Sequence, residues 1–361
     1  MQSVAPRFTI VLPVRNGANF VAAAIESVLS QTYDQFELSI LENGSTDDTP
    51  AIVQAYRGPR VTVYPSSQPL TMEHNWRRIL DLPLAEFMTI LGHDDLLYAG
   101  FLQEIVQLVK GYPEASLYQT HFDLIDEHGR HLRACKPVPI QESAEGFLQA
   151  RHRGERDVFG TGYVMRSEHF RAVGGVPAFP RLIYADDALL YRLARISSKV
   201  CSLRSLFAYR WHRRSASRDV ELADLYQASR LYLQALAQAG YLGSAENAAR
   251  ARRFVEVTFH GRSRWILVDL LAQSDRSARD RYVQDKHRIL TDSKNHQQFS
   301  VSTPLTVALE SLIRLPLPGF VRRATAWLIV WSADTTRGFR TGLRLARDRV
   351  SHAANAQAQG Q

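Results

Sequence analysis

The run Phe87-Met88-Thr89-Ile90-Leu91 stops at Gly92, and His93-Asp94-Asp95 follows before the chain turns apolar again at Leu96. An apolar stretch of about five residues closed by glycine reads as a buried strand of a parallel sheet. Ligands of open α/β sheets bind just beyond the carboxyl ends of their strands, which is where Asp94 and Asp95 stand. Neighbouring carboxylates repel, so the pair implies a cation or a hydroxyl-rich ligand between them. The plainer reading is a helix N-cap with a second acid beside it.

Strand and helix patterns alternate ahead of this stretch. Phe8–Leu12 is β-branched and apolar, and Pro13 is expected to end it. Phe20, Val21, Ala24, Ile25, Val28 and Leu29 recur at helical spacing. Phe36–Leu41 and Val61–Tyr64 read as further strands, and Thr49-Pro50 reads as an N-cap with proline in the first helical turn. Thr71–Leu80 and Phe101–Lys110 read as helices, Ser116–Phe122 as a strand, and Asp123–Arg130 as a hairpin tip. The glycines of Phe159–Gly162 precede another strand. Asp186-Asp187 opens a helical pattern marked by Leu189, Leu190, Leu193 and Ile196. Such alternation predicts a doubly wound α/β sheet. The loop Val14–Asn19 holds a single glycine, so it is not a dinucleotide fingerprint.

Charge divides the chain. Residues 204–361 carry 25 Lys/Arg against 13 Asp/Glu, leaving 19 against 23 in residues 1–203. A basic back half suits nucleic acid, anionic lipid or a phosphorylated substrate, but no nucleic-acid module is recognisable, so none is expected as a partner. Cys135 and Cys201 make neither a disulfide framework nor a metal-ligand spacing, which predicts a reducing compartment. Phe8–Val14 is short and contains Pro13, unlike a signal peptide. Ala324–Ala333 is too short to span a bilayer. A cytoplasmic location follows as the expectation.

Five short motifs, in order over residues 8–217, resemble the inverting family 2 glycosyltransferases. They are Phe8–Asn16, Glu42–Asp47 (Glu-Asn-Gly-Ser-Thr-Asp), Gly92-His93-Asp94-Asp95, Asp186-Asp187, and Tyr209–Ser217 (Tyr-Arg-Trp-His-Arg-Arg-Ser-Ala-Ser). The resemblance implies a GT-A fold: a doubly wound mixed sheet flanked by helices over residues 1–219. The nucleotide-sugar half would cover about 1–98 and the acceptor half 99–219. Three positions depart from the family pattern: Glu42 for aspartate, Gly92 for the first aspartate of the metal motif, and Asp186 for glutamate.

The resemblance also implies roles. Asp95 would ligate Mn²⁺ or Mg²⁺, with His212 as a second ligand, and Asp94 would accept from ribose hydroxyls or a coordinated water. Glu42 would meet a base N–H in a pocket shaped by Pro13 and Asn16. Arg210 and His212 would meet the diphosphate. Asp187 would be the base that deprotonates the acceptor, with Asp186 beside it; the plainer view makes both acids helix caps. His93 is expected to be a spacer facing solvent or sugar, and Trp76 to be core. The donor would be a nucleotide sugar and the acceptor a glycan or lipid-linked molecule of cell-surface polysaccharide or glycolipid synthesis. A sugar-phosphate nucleotidyltransferase would use similar acids but wants a glycine-rich basic loop after the first strand. A non-catalytic scaffold sits poorly with three intact aspartates.

Residues 220–361 match nothing recognisable. Leu222, Leu225, Ser229, Tyr232, Leu233 and Leu236 line one face of a helix, and Phe254–Leu271 suggests another. From Thr303 onward, Leu/Trp blocks alternate with Arg314, Arg322, Arg323, Arg337, Arg340, Arg344, Arg347 and Arg349. That pattern fits either a peripheral anchor on an anionic membrane face or helices packed on the catalytic domain. A disordered tail is expected from about residue 353, where the sequence turns to Ala, Gln and Gly.

Overall fold

A computed structural model describes residues 7–212, 220–272, 276–296, 299–300, 304–314 and 325–326. Elements in chain order are β1 (Phe8–Val14), α1 (Val21–Leu29), β2 (Phe36–Glu42), α2 (Thr49–Ala55), β3 (Val61–Pro65), α3 (Met72–Arg77), β4 (Phe87–Ile90), β5 (Leu96–Leu97), α4 (Phe101–Gly111), β6 (Leu117–Ile125), β7 (His131–Ala134), β8 (Gln141–Glu142), α5 (Ala144–His152), β9 (Tyr163–Arg166), α6 (Ser167–Ala172), α7 (Ala185–Ile196), β10 (Lys199–Arg210), α8 (Leu222–Gln238), α9 (Ala245–Ala272), α10 (Arg276–His296) and α11 (Pro304–Arg314). The sheet runs β3-β2-β1-β4-β9-β6-β10-β5, with β7 on β6 and β8 on β10. Strands β3, β2, β1 and β4 are parallel; β9 is antiparallel to both of its neighbours. The fold is a GT-A doubly wound mixed sheet flanked by helices.

The chain divides into two compact units, residues 1–215 with 231–250, and residues 216–230 with 251–361. In the first, Phe8, Ile10, Leu12, Phe36, Leu38, Ile40 and Phe87 are buried with Val21, Ile25 and Val28 of α1 and Phe101 and Ile105 of α4. The stripe read from the sequence is the face α1 buries. Burying each such side chain contributes about 1.5–3 kcal/mol. In the second unit Tyr226, Phe259 and Phe299 pack together. There the buried Lys286 ammonium meets Glu310 at 3.0 Å. No described helix is long and apolar enough to cross a membrane. The arginines from Arg322 onward, and the tail from residue 353, lie outside the described residues.

Two local expectations are corrected. Pro13 does not end the first strand, because it pairs with Leu41 of β2 inside β1. It lies on the same side of the strand as Val11, whose carbonyl accepts the last bond from the β4 side, at Leu91. With β4 finished, the missing proline N–H leaves no ladder bond unmade. Thr49 is the first residue of α2 rather than its cap. Its hydroxyl instead accepts from the Gly17 N–H at 2.8 Å.

The sequence reading also missed β10 and α5. Strand β10 interleaves Arg and Ser with apolar residues, so no period of two emerges, and tertiary pairing with β6 decides it. Helix α5 starts at Ser143, whose hydroxyl accepts from the Gly146 N–H at 3.1 Å.

Its last residue, His152, is buried against Tyr232, with ring Nε2 and phenol oxygen 2.8 Å apart. Burial, with Arg151 and Arg250 nearby, pushes the imidazole down to about 3. In the unfolded chain it titrates near pH ~6.5. As pH falls below that value, the unfolded chain takes up a proton that the folded one refuses. The stability from neutral His152 is therefore complete above pH ~6.5 and falls by about 1.4 kcal/mol per unit from there toward pH ~3. His152→Gln is expected to melt lower at pH 7.5 yet decline less steeply toward pH 5. Parallel melting curves for the two proteins would reject this.

Candidate active site

The parallel strands deliver three loops to one edge of the sheet: 14–18 after β1, 43–49 after β2 and 91–95 after β4. The first two are stapled together. Asn16, at φ 51°, donates its N–H to the Ser45 hydroxyl at 2.9 Å and accepts from the Thr46 N–H at 2.8 Å. Asp47 accepts from the Ala18 N–H at 3.1 Å. Glu42 is 5 % exposed and accepts from the N–H groups of Ser45 at 2.7 Å and Gly44 at 3.2 Å. Two backbone donors leave a carboxylate with further lone pairs for a ligand. Pro13 is buried beneath this pocket, and Asn43 clamps Leu70 through both its amide atoms. The sequence reading missed Arg78, which donates to the carbonyls of Tyr64 at 2.8 Å and Glu42 at 3.4 Å and ties the ends of β2 and β3 together. Its surroundings carry no local motif.

The two carboxylates after β4 are unlike each other. Asp95 is 1 % exposed, and both oxygens are engaged, one by the Thr161 hydroxyl at 2.7 Å and one by the Arg210 N–H at 2.9 Å. Asp94 keeps a fifth of its side chain exposed, and its Oδ2 faces His212 Nε2 at 2.7 Å. Burial would push Asp94 up, but the His212 hydrogen bond and the nearby His93 hold it below its ordinary value. Burial and the Asp94 charge push Asp95 well up, against the pull of Thr161 and Arg210. One carboxylate faces outward as an anion, and the other supports it from beneath.

Zipping β10 onto β5, with Phe207 opposite Leu97 and Ala208 opposite Leu96, carries Arg210 and His212 to this place. Arg210, expected beside a diphosphate, has these internal contacts. It is buried, and its guanidinium donates to the carbonyls of Asp94 at 2.7 Å, Asp126 at 3.1 Å and Glu127 at 3.4 Å, lying over the Phe20 ring. Each oxygen of Asp95 accepts one hydrogen bond, from Thr161 and from the Arg210 N–H. His93 is no free spacer: its ring covers Gly17, where a Cβ would stand 2.5 Å from Cδ2. Arg213, Arg214, Ser215 and Ser217 of the closing motif lie outside the described residues.

The second acidic pair opens α7. Asp187 is 1 % exposed and forms a two-point ion pair with Arg151 of α5, at 2.7 and 3.3 Å. Asp186 is half-buried and accepts from the Asp187 N–H at 2.9 Å. Arg151 was missed because α5 was missed. The loop ahead of β9 lies between the two carboxylate clusters, with Thr161 on Asp95. Gly162 follows at φ +79°, and a Cβ there would stand 2.6 Å from the Phe207 ring. Gly162→Ala is expected to cost about 1–3 kcal/mol through strain and overpacking, read from denaturant unfolding. An unchanged midpoint would refute it.

Donor chemistry bears on a metal ion. Asp94 and His212 supply one hard oxygen and one imidazole nitrogen. The described residues hold no cluster of three or more His, Cys, Asp or Glu that could bind an ion alone. Two such donors would hold a divalent cation only together with ligands from outside the described residues.

Residues 9–171 match the profile described as Glycosyl transferase family 2. An uncharacterised glycosyltransferase of Rickettsia typhi is 28 % identical over 133 residues, 37 % of this chain and 41 % of the relative. A PGL/p-HBAD biosynthesis glycosyltransferase of Mycobacterium tuberculosis is 32 % identical over 97 residues, 26 % of this chain and 38 % of that protein. The chain thus spans about two fifths of the length of these relatives. Among solved structures, S. aureus TarS 1–349 in complex with UDP-GlcNAc superposes with a TM-score of 0.56 at 14 % identity, covering 81 % of this chain and 92 % of TarS 1–349. Profile and sheet agree: residues 9–171 are similar to the Glycosyl transferase family 2 profile, on a GT-A fold.

Proposed function

We propose that the protein is an inverting glycosyltransferase that moves one sugar from a nucleotide-sugar donor to a hydroxyl of a glycan or lipid-linked acceptor. The observation that carries this reading is the Asp94–His212 pair at 2.7 Å, at the end of β4 next in sequence to the buried Asp95. Glu42 and Asn16, with Pro13 beneath, would hold the base. Asp94 and His212 would hold Mn²⁺ or Mg²⁺; when bound, the ion neutralises charge growing on the leaving diphosphate. Arg210 and Asp95 keep Asp94 in position from behind.

Inversion needs a base on the face opposite the leaving group. Asp186 is the acid of the second pair that reaches the surface, so it takes the acceptor proton in this reading. Asp187, locked to Arg151, fixes the start of α7 and hence the direction in which Asp186 points. Incubation with a panel of sugar nucleotides and Mn²⁺ or Mg²⁺, with and without glycan or lipid-linked acceptors, tests the reading. Release of nucleoside diphosphate with transfer supports it; release of pyrophosphate would point to a nucleotidyltransferase, and no turnover of any donor would reject both.

The alternation of Leu/Trp blocks and arginines beyond Thr303 supports a station on an anionic cytoplasmic membrane face, where a lipid-linked acceptor would lie. The chain is expected to pellet with vesicles containing anionic lipid and not with neutral ones. Pelleting with neither rejects this placement.

A further inference from the structure

Trp76 was expected in the core, yet it is half-buried, and its indole lies against Gly160, which also neighbours Asp186. A Cβ on Gly160 would stand 3.3 Å from Trp76 Cη2 and 3.9 Å from the Asp186 Cβ. Unlike Gly162, Gly160 is not in the left-handed region. Its backbone does not demand glycine; the missing side chain is what lets the indole rest close against this peptide unit, with Asp186 beside it. The next residue, Thr161, bonds Asp95 at 2.7 Å. Consecutive Cα atoms lie ~3.8 Å apart, so a single peptide unit joins the cluster that would hold the diphosphate to the acids that would take the proton. A group lying over that peptide unit is on the scale of one sugar ring.

The wall is held in place. Helix α3 is capped by Thr71, which accepts from the His74 N–H at 3.3 Å. Glu73, on the same helix, accepts from the Arg181 N–H. Arg181, Leu182 and Tyr184 all have positive φ, at 55°, 54° and 62°, just ahead of the acid pair. Three non-glycine residues in that region persist only where their surroundings hold them. The Glu73 clasp and the Tyr184–Tyr232 stack, with centroids 4.8 Å apart, supply that hold.

We propose that Trp76 and Gly160 form the subsite for the transferred sugar, the indole as its platform and the missing side chain of Gly160 as its size filter. An aromatic wall with a few convergent polar groups is the usual make-up of such a subsite. The inference rests on the transferase reading above and deepens it.

The test is calorimetry with Mn²⁺, using uridine, guanosine and thymidine diphosphates and several sugar conjugates of whichever binds, on wild type, Trp76→Ala, Trp76→Phe and Gly160→Ala. Free diphosphate should bind all four proteins within about twofold, whereas Trp76→Ala should weaken the conjugates roughly tenfold or more, and Trp76→Phe less. Gly160→Ala should change the ratio of affinities between small and bulky sugars by roughly tenfold. Equal loss for free diphosphate and conjugates would overturn the platform, and an unchanged sugar ranking in Gly160→Ala would overturn the filter. Should Trp76→Ala fail to fold, the other two variants carry the same comparisons. Wild type binding diphosphate but no conjugate, or neither, would overturn the transferase reading and this inference with it.

Discussion

Asp94→Ala is expected to lower turnover by on the order of 10³, the loss that follows removal of a preorganised stabiliser of transition-state charge. The protein should remain folded, since Asp94 keeps a fifth of its side chain exposed and its side-chain partner His212 stands at the same edge of the site. EDTA should do the same to wild type, and added Mn²⁺ should restore it. Asp95→Ala should behave differently. It strands the Thr161 hydroxyl and the Arg210 N–H in a buried place, at about 1–3 kcal/mol for each unsatisfied group. Activity would then be lost together with stability. The measurement pairs initial rates with denaturant unfolding for both variants. Full activity of wild type in EDTA, or a stable and inactive Asp95→Ala beside an active Asp94→Ala, would return the metal to Asp95 or remove it altogether.

Asp186→Asn is expected to reduce kcat by about 10²–10⁴, the usual contribution of a general base, with nucleoside diphosphate affinity unchanged. Asp187→Ala should instead lower stability by about 3 kcal/mol, the low end for breaking a buried ion pair, because Arg151 stays 24 % exposed and partly solvated. Replacing Arg151 by methionine together with Asp187→Ala should recover part of that stability, since no lone charge is then buried. Calorimetry, kinetics and thermal melting separate the roles. If Asp187→Asn were inactive at full stability while Asp186→Asn turned over normally, the base would be Asp187, as its place in the motif first implied.

The sequence by itself determined the frame. Apolar blocks of strand length before glycine and acid, and the helical stripe from Phe20 to Leu29, already dictate a doubly wound sheet with acids at the strand ends. Burial there depends on local pattern, and local pattern is visible in a string. It also located Asp186 and Asp187 at a helix start. The division of labour within each pair was invisible. Asp94 and Asp95 are chemically the same residue, and only the approach of β10 and the 159–162 loop makes one outward and the other buried. Asp186 and Asp187 part company only because α5 sets Arg151 under one of them. The engagement of Arg210 by the hairpin carbonyls of Asp126 and Glu127 is likewise absent from the sequence pattern. Trp76 reads as core, whereas it is half-buried with its indole close against Gly160. Each of these outcomes was set by partners 36 or more positions away in sequence, through contacts that carry no periodic signal, so tertiary structure alone decided them.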